Sequence, residues 1–356
     1  MKTGSTLQDL AKELDRQANA KRDFIAPSGE LELVSKAGQQ GDRESELIVN
    51  GHGSFGIAET AHDQLASRLQ IPKTYYDRMR TTAPALLRQN VNHWFKAQPE
   101  KRMIRTLDGN ARAFLSDRYR PLDNYDLAET VIPRLTSNGC RIESAELTDR
   151  RLYIKAVTER ITLEVKKGDI VQAGIVVSNS EIGAGSVKVE PMVFRLVCLN
   201  GMIANDASMR KYHVGRSGDA GDLAEEFFKD STRRADDKAF WLKVRDVVDG
   251  AFREDVFKRI VGRMQMAAEM EIPADPVKVI EVVAKKYGLQ ESEGSGVLRH
   301  LIKGGDLTQW GLVNAITRAS QDVEGYDRAT EMERLGGQVL ELPKSDWQAI
   351  ATAELN

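Results

Sequence analysis

IESAEL (142–147), RLYIKAV (151–157), ITLEVK (161–166), IVQAGIVVSNS (170–180) and SVKVEPMVFRLVCLNG (186–201) decide the fold. Apolar residues recur in them at a period of two, or in short runs rich in Val and Ile, which is the pattern of strands. The Gly-rich segment Glu181–Ser186 reads as the turn joining the last two. Together these segments predict an antiparallel β-meander.

Working outward, KRMIRTLDGNARAFLSDRYRPLDNYDL (101–127) predicts a β-hairpin, Met103–Thr106 and Ala111–Leu115 around Leu-Asp-Gly-Asn. Asp123 or Asn124 then caps a helix that runs to about Asn138, with Pro133 inside it. Residues 100–204 therefore read as an antiparallel sheet core with a basic hairpin, crossed by one helix. Residues 1–99 read as an N-terminal α/β segment packed on that core. It holds an amphipathic helix over 5–20 (Leu7, Leu10, Ala11, Leu14, Ala18), a polar loop over 21–29, strands at 30–36 and 46–50, and helices over 58–69, after Pro72 and over 83–97. Residues 205–221 are polar and glycine-bearing and read as a mobile loop. From 222 to 356 the chain reads as helical, with an apolar stripe from Phe227 to Ile260 that Pro273 and Pro276 end. The expected class is α+β: a central antiparallel meander with a crossing helix, then a largely helical C-terminal region.

Charge is local. Lys101, Arg102, Arg105, Arg112, Arg118 and Arg120 stand against only Asp108 and Asp117, so residues 101–120 carry net +4 in a chain of net −2. A basic hairpin on an acidic protein suits an anionic partner; the plainer alternative is a solvated hairpin paired with nearby acids. The near-neutral balance excludes coating of DNA by bulk charge. A hydrophobic content of 41% with 29% charged residues suits a soluble globular chain, and 356 residues suffice for two domains. The sequence has no run of about 18 apolar residues, so no membrane span and no membrane partner is expected. The polar N-terminus lacks the apolar core of a signal peptide, and two lone cysteines, Cys140 and Cys198, suit a reducing cytoplasm.

Several motifs carry chemistry in principle. Gly51-His52-Gly53-Ser54-Phe55-Gly56 matches GxGxxG, but no second parallel strand follows, and a glycine-rich β-turn accounts for it better. Asp149 with Glu164-Val165-Lys166 suggests a divalent-metal nuclease, without the proline that usually precedes the aspartate. His52, His62, His93, His213 and His300 are scattered and form no metal box; Cys198, in an apolar run, reads as a buried small residue. The loop Asn179–Ser186 either approaches a ligand or closes a tight hairpin. Arg210, Lys211, His213 and Arg216 surround Tyr212, a pattern of cations and a ring that suits single-stranded nucleic acid.

Several blocks together resemble the phage/plasmid-like family of unknown function, the DUF932 group. They are His62-Asp63-Gln64-Leu65 through Leu69-Gln70-Ile71-Pro72-x-x-Tyr75-Tyr76, Arg112–Tyr119 with Leu122-Asp123-Asn124, Gly174-Ile175 with Asn179–Gly183, Phe194–Met202, and Trp310–Thr317. The resemblance implies a mobile-element origin and a bacterial cytoplasmic setting, and supplies no catalytic residues. The layout also looks loosely like phage single-strand annealing proteins of the RecT, Redβ and Erf kind, a fold-level analogy only.

The sequence reading favours a non-enzymatic protein that binds, and possibly anneals, single-stranded DNA in phage or plasmid recombination, without cofactor or metal. Arg102, Arg105, Arg112, Arg118 and Arg120 are the expected phosphate contacts, Tyr119 and Tyr212 the stacking platforms. Lys188 and Arg195 extend the groove if they face it, Arg210 and Lys211 track phosphates beside Tyr212, and a homo-oligomeric ring or filament is the expected assembly. The alternatives are a protein that blocks a host defence or replication factor, and a metal-dependent nuclease.

Overall fold

A computed structural model describes residues 1–35, 45–119, 121–204 and 230–353. The chain divides into two compact units: a small one, Ala11–Tyr125 with Ser180–Ala184, and a large one, Met1–Leu10, Asp126–Asn179 and Gly185–Asn356.

The first elements are α1 (Leu7–Ala20), β1 (Arg22–Pro27), β2 (Leu31–Ser35), β3 (Ser45–Val49), β4 (Gly53–Ile57), α2 (Glu59–Arg68), α3 (Lys73–Thr82), α4 (Pro84–Ala97), β5 (Lys101–Leu107) and β6 (Asn110–Ser116). The strands form one six-stranded sheet in the order β1-β5-β6-β4-β3-β2, antiparallel except where β4 meets β6. Apolar faces of α2, α3 and α4 cover it: Leu65, Tyr76, Leu87, Val91 and Phe95 pack with Leu33, Leu47, Ile104 and Phe114. The Gly51–Gly56 segment is the turn and second strand of the β3–β4 hairpin, as its glycine content predicts.

Two features of this unit differ from expectation. Residues 22–27, expected as a polar loop, form β1, because β5 supplies backbone partners along its length and the strand needs little apolar alternation of its own. The basic hairpin is therefore flanked by β1 and β4, and belongs to the N-terminal sheet rather than to the meander.

The rest of the chain gives α5 (Asn124–Ser137), β7 (Cys140–Leu147), β8 (Leu152–Glu164), β9 (Ile170–Asn179), β10 (Lys188–Arg195) and β11 (Asn200–Ile203). Then come α6 (Asp230–Gly250), α7 (Glu254–Ala268), α8 (Pro276–Tyr287), α9 (Glu291–Gly304), α10 (Gln309–Ala319), α11 (Tyr326–Leu340) and α12 (Lys344–Ala351). The meander is real: β7 to β11 pair in sequence order, all antiparallel. The class is α+β with a helical C-terminal region. RLYIKAV and ITLEVK are one strand, β8, because Thr158–Thr162 contains no Gly, Pro or Asn to turn the chain and is absorbed as a register shift. The apolar stripe after 222 breaks at residues 251–253 between α6 and α7. The expected loop over 205–221 lies outside the described residues.

α11 lies against β11 and α10 at close range. A Cβ on Gly337 would collide with the carbonyl oxygen of Ile203, and one on Gly336 with the Thr317 methyl. Fully buried Glu333 on the same helix pairs with fully buried Lys155 on β8 at 2.6 Å. Sheet and C-terminal helices thus share one core. Gly337→Ala should lower stability by about 1–3 kcal/mol through overpacking. Gly262→Ala, inside α7 with open space where a Cβ would stand, should raise it by about 0.5–1 kcal/mol. Urea midpoints of the two variants check both signs.

Candidate functional site

Two constellations of polar side chains assemble from the motif blocks, one in each unit. In the small unit Glu181 is the centre. Its Oε1 accepts the Asn124 backbone N–H at 2.6 Å, capping the start of α5 with a carboxylate, where the helix end is positive. Its Oε2 accepts from Arg112 at 2.5 Å, and its backbone oxygen accepts from Arg105 at 2.7 Å. Arg105 is fully buried and also contacts Asp23 at 2.9 Å and Asp123 at 2.8 Å. Lys21 closes on Asp123 from the other side. Burial alone would push the Asp123 carboxyl up, but Lys21 and Arg105 outweigh it and hold it below the usual range. Gln64 fixes the same loop, donating to the Ile182 carbonyl at 2.8 Å and accepting from the Phe114 N–H at 2.7 Å.

Three cations, Lys21, Arg105 and Arg112, face three carboxylates here, so two of the six cations of residues 101–120 are neutralised inside the unit. Arg105, expected on a phosphate-binding surface, has no exposed surface. Arg112 is committed to Glu181, and Arg102 is mostly covered and pairs with Glu100. Tyr119 is no open platform: its hydroxyl donates to the Ser180 carbonyl at 3.2 Å and its ring packs beside Met103, Leu115 and Ile182. Arg118 is exposed in the turn after β6. Arg120, Arg210, Lys211 and Tyr212 lie outside the described residues.

The large unit holds the open constellation. Arg195, at the end of β10, grips Asp169 with two bonds, 2.5 and 3.0 Å, and Asp169 also accepts from the Trp310 indole N–H at 2.9 Å. Asn200 donates to Thr317 at 2.6 Å. The blocks Phe194–Met202 and Trp310–Thr317 are therefore in contact. Beside them opens a cavity of about 600 Å³ lined by Lys166, Arg195, His300, Lys303 and Arg318. That volume suits a small ligand or one residue of a polymer. Among the described residues on its wall, Asp306 is the one carboxylate.

Local sequence sets these side chains. Gly305, left-handed at φ 63°, ends α9, and Thr308 caps α10 by accepting the Gly311 N–H at 3.1 Å. Two helices in this short span bring Lys303 and Arg318 to one opening. Lys166 pairs with Asp306 at 2.6 Å, and His300 with Asp322 at 2.7 Å. Burial would push the Asp322 carboxyl up, but His300, Arg318 and Arg299 hold it below the usual range. Arg318 is 4.0 Å from Asp322, and Lys303 is exposed and makes no ion pair with a described residue. The β10–β11 turn, through Val197, Cys198 and Leu199, forms another part of the wall. There Leu199 sits at φ +51°, a conformation that costs a branched side chain about 1–2 kcal/mol.

The chain belongs to the DUF932 family. The sequence model of this domain of unknown function matches residues 113–335. Neither a curated protein nor a solved structure matches it. The DUF932 span includes Glu181, Arg195 and the whole wall of the basic cavity.

Of the expected site residues, Arg195 reaches this cavity, while Lys188 stands at the other end of β10. The sequence points to Lys166 only as the lysine of a nuclease motif and to His300 only among the scattered histidines; Lys303 and Arg318 carry no signal beyond their closeness to the Trp310–Thr317 block. Cys198 is half-buried in the β10–β11 turn rather than in the core, its sulfur 3.2 Å from the Arg195 guanidinium. Asp149 lies in the turn before β8 and Glu164 at the far end of that strand, so they do not form one metal site. Among the described residues no His, Cys, Asp or Glu cluster could hold a metal, and no helix is long and apolar enough to cross a membrane.

His62, in the first block, is buried with Nδ1 2.8 Å from the Tyr76 hydroxyl. Burial, with Arg80 nearby, pulls its imidazole down from 6.5 to about 4. The unfolded chain takes up that proton first as pH falls, so stability drops between about pH 6.5 and 4. Denaturation at pH 7 and 5 should differ by about 2 kcal/mol more in the parent than in His62→Gln.

Proposed function

We propose that this chain is a non-enzymatic binding protein for single-stranded nucleic acid, which holds backbone phosphates at the basic cavity of the large unit. The observation that carries this reading is the wall itself: Lys166, Arg195, Lys303 and Arg318 with His300 around one opening, against Asp306. Arg195 is fixed by Asp169, so its guanidinium is preorganised, whereas Lys303 and Arg318 are available for phosphate at little cost in broken pairs. Such contacts release counterions and make affinity fall with salt. The mobile-element setting implied by the family resemblance is one in which single strands are common substrates of recombination.

Fluorescence anisotropy with a labelled single-stranded oligonucleotide, in a salt series without magnesium, tests the reading. The logarithm of affinity should fall linearly with the logarithm of salt concentration. The slope should flatten by about 0.7 for each of Lys303→Ala and Arg318→Ala. Neither side chain holds the fold, so both variants should keep the parent's unfolding midpoint. No binding at low salt, or binding that ignores both substitutions, overturns it.

A further inference from the structure

The cavity has a second character that phosphate binding leaves unused. The turn Leu196–Leu199 between β10 and β11 forms part of its wall, and there Val197 is 60% and Leu199 58% exposed. Both side chains at this hairpin turn thus leave most of their apolar surface to solvent. Leu199 also occupies a left-handed position, φ +51°, that Gly or Asn would take without strain. The tip is held in place: the Leu199 carbonyl accepts from the Gln321 side chain at 3.3 Å, and Arg195 contacts Cys198 between the two apolar residues. Lys303 on α9 and Arg318 on α10 line the same opening.

An apolar tip facing a cationic wall fits a ligand that is anionic along one edge and flat and apolar along the other. A nucleotide within a single strand has that form. In a duplex the base faces are stacked and hidden, while the phosphates remain available. The cations alone therefore bind both forms, and only the tip can tell them apart. We propose that Val197 and Leu199 pack against unstacked bases and give the cavity its preference for single strands. This inference rests on the proposed function. Aliphatic side chains do pack on base faces: Leu or Ile wedges enter duplex base steps at an unstacking cost of about a few kcal/mol per step, a cost that an already unstacked single strand does not carry.

The test compares the parent with the double variant Val197→Ser, Leu199→Asn, in which Asn keeps the left-handed turn accessible. Three fluorescent probes of equal length are used in the same salt series: a single strand, its duplex and an abasic single strand. The parent should bind the single strand best, and the variant should lose about tenfold on it, approaching its duplex affinity. The abasic strand should bind the parent about as weakly as the ordinary strand binds the variant. The salt slope should stay the same in both, since the phosphate contacts are intact. If the parent shows a salt slope but the variant keeps its preference for the single strand, or the abasic strand binds the parent as well as the ordinary one, the tip has no base-contacting role and the phosphate reading stands. If the parent binds no probe at low salt, the phosphate reading fails and this inference fails with it.

Discussion

Lys155 on β8 and Glu333 on α11 meet at 2.6 Å with neither side chain reaching solvent, and each charge would cost several kcal/mol if buried alone. That constraint sets where α11 lies along the meander. Tyr326, Glu333 and Gly337 are seven and four residues apart on the helix and share one face. From it, Tyr326 reaches Ser144 at 2.7 Å and carries the Lys155 ammonium 4.6 Å from its ring centre. Gly337 lets the helix backbone touch β11. A slip of one turn would break the pair, drive a side chain into Ile203 and strip the ring from Lys155 together. With α11 fixed, α10 packs beside it, and Trp310 and Thr317 meet Asp169 and Asn200. The walls of the basic cavity thus inherit their positions from a contact that is not part of them.

The two units treat arginine in opposite ways. In the small unit, Arg105 and Arg112 are structural, and carboxylates from β1, the Glu181 loop and the start of α5 consume their charge. In the large unit, Arg195 is also held by a buried aspartate, but its neighbours Lys303 and Arg318 leave positive charge facing open space. A buried, neutralised network rigidifies; an open, unbalanced one attracts. Counting residues along the chain cannot separate the two cases, because the deciding carboxylates come from other strands.

Much of the fold was legible. The Val- and Ile-rich alternation from 142 to 201 marked the meander because a half-buried sheet imposes that period on its side chains. The amphipathic stripes marked the helices for the same reason. β1 was not legible, since its stability comes from β5 rather than from its own residues. The unity of β8 was not either, because a bulge leaves no turn residue as a signature. At the site, Arg195 stood out as a cation in an apolar run. Lys303 and Arg318 did not, since only the packing of α10 on β11, with α9 beside α10, brings them to it from more than 100 residues away.

The pentapeptide Ser180–Ala184 belongs to the small unit although the chain on either side of it builds the large one. During synthesis, residues up to Tyr125 leave the ribosome well before Glu181. At about 5–20 residues per second the gap of roughly 60 residues lasts on the order of 3–12 s. For that interval Arg105 and Arg112 have no Glu181 to meet, and α5 has no cap. All six strands of the N-terminal sheet, and the Asp23 and Asp123 partners of Arg105, are made by then, but Arg112 and the start of α5 wait for a carboxylate made in the course of building the other unit. The order of translation itself ties the maturation of one unit to the emergence of the other.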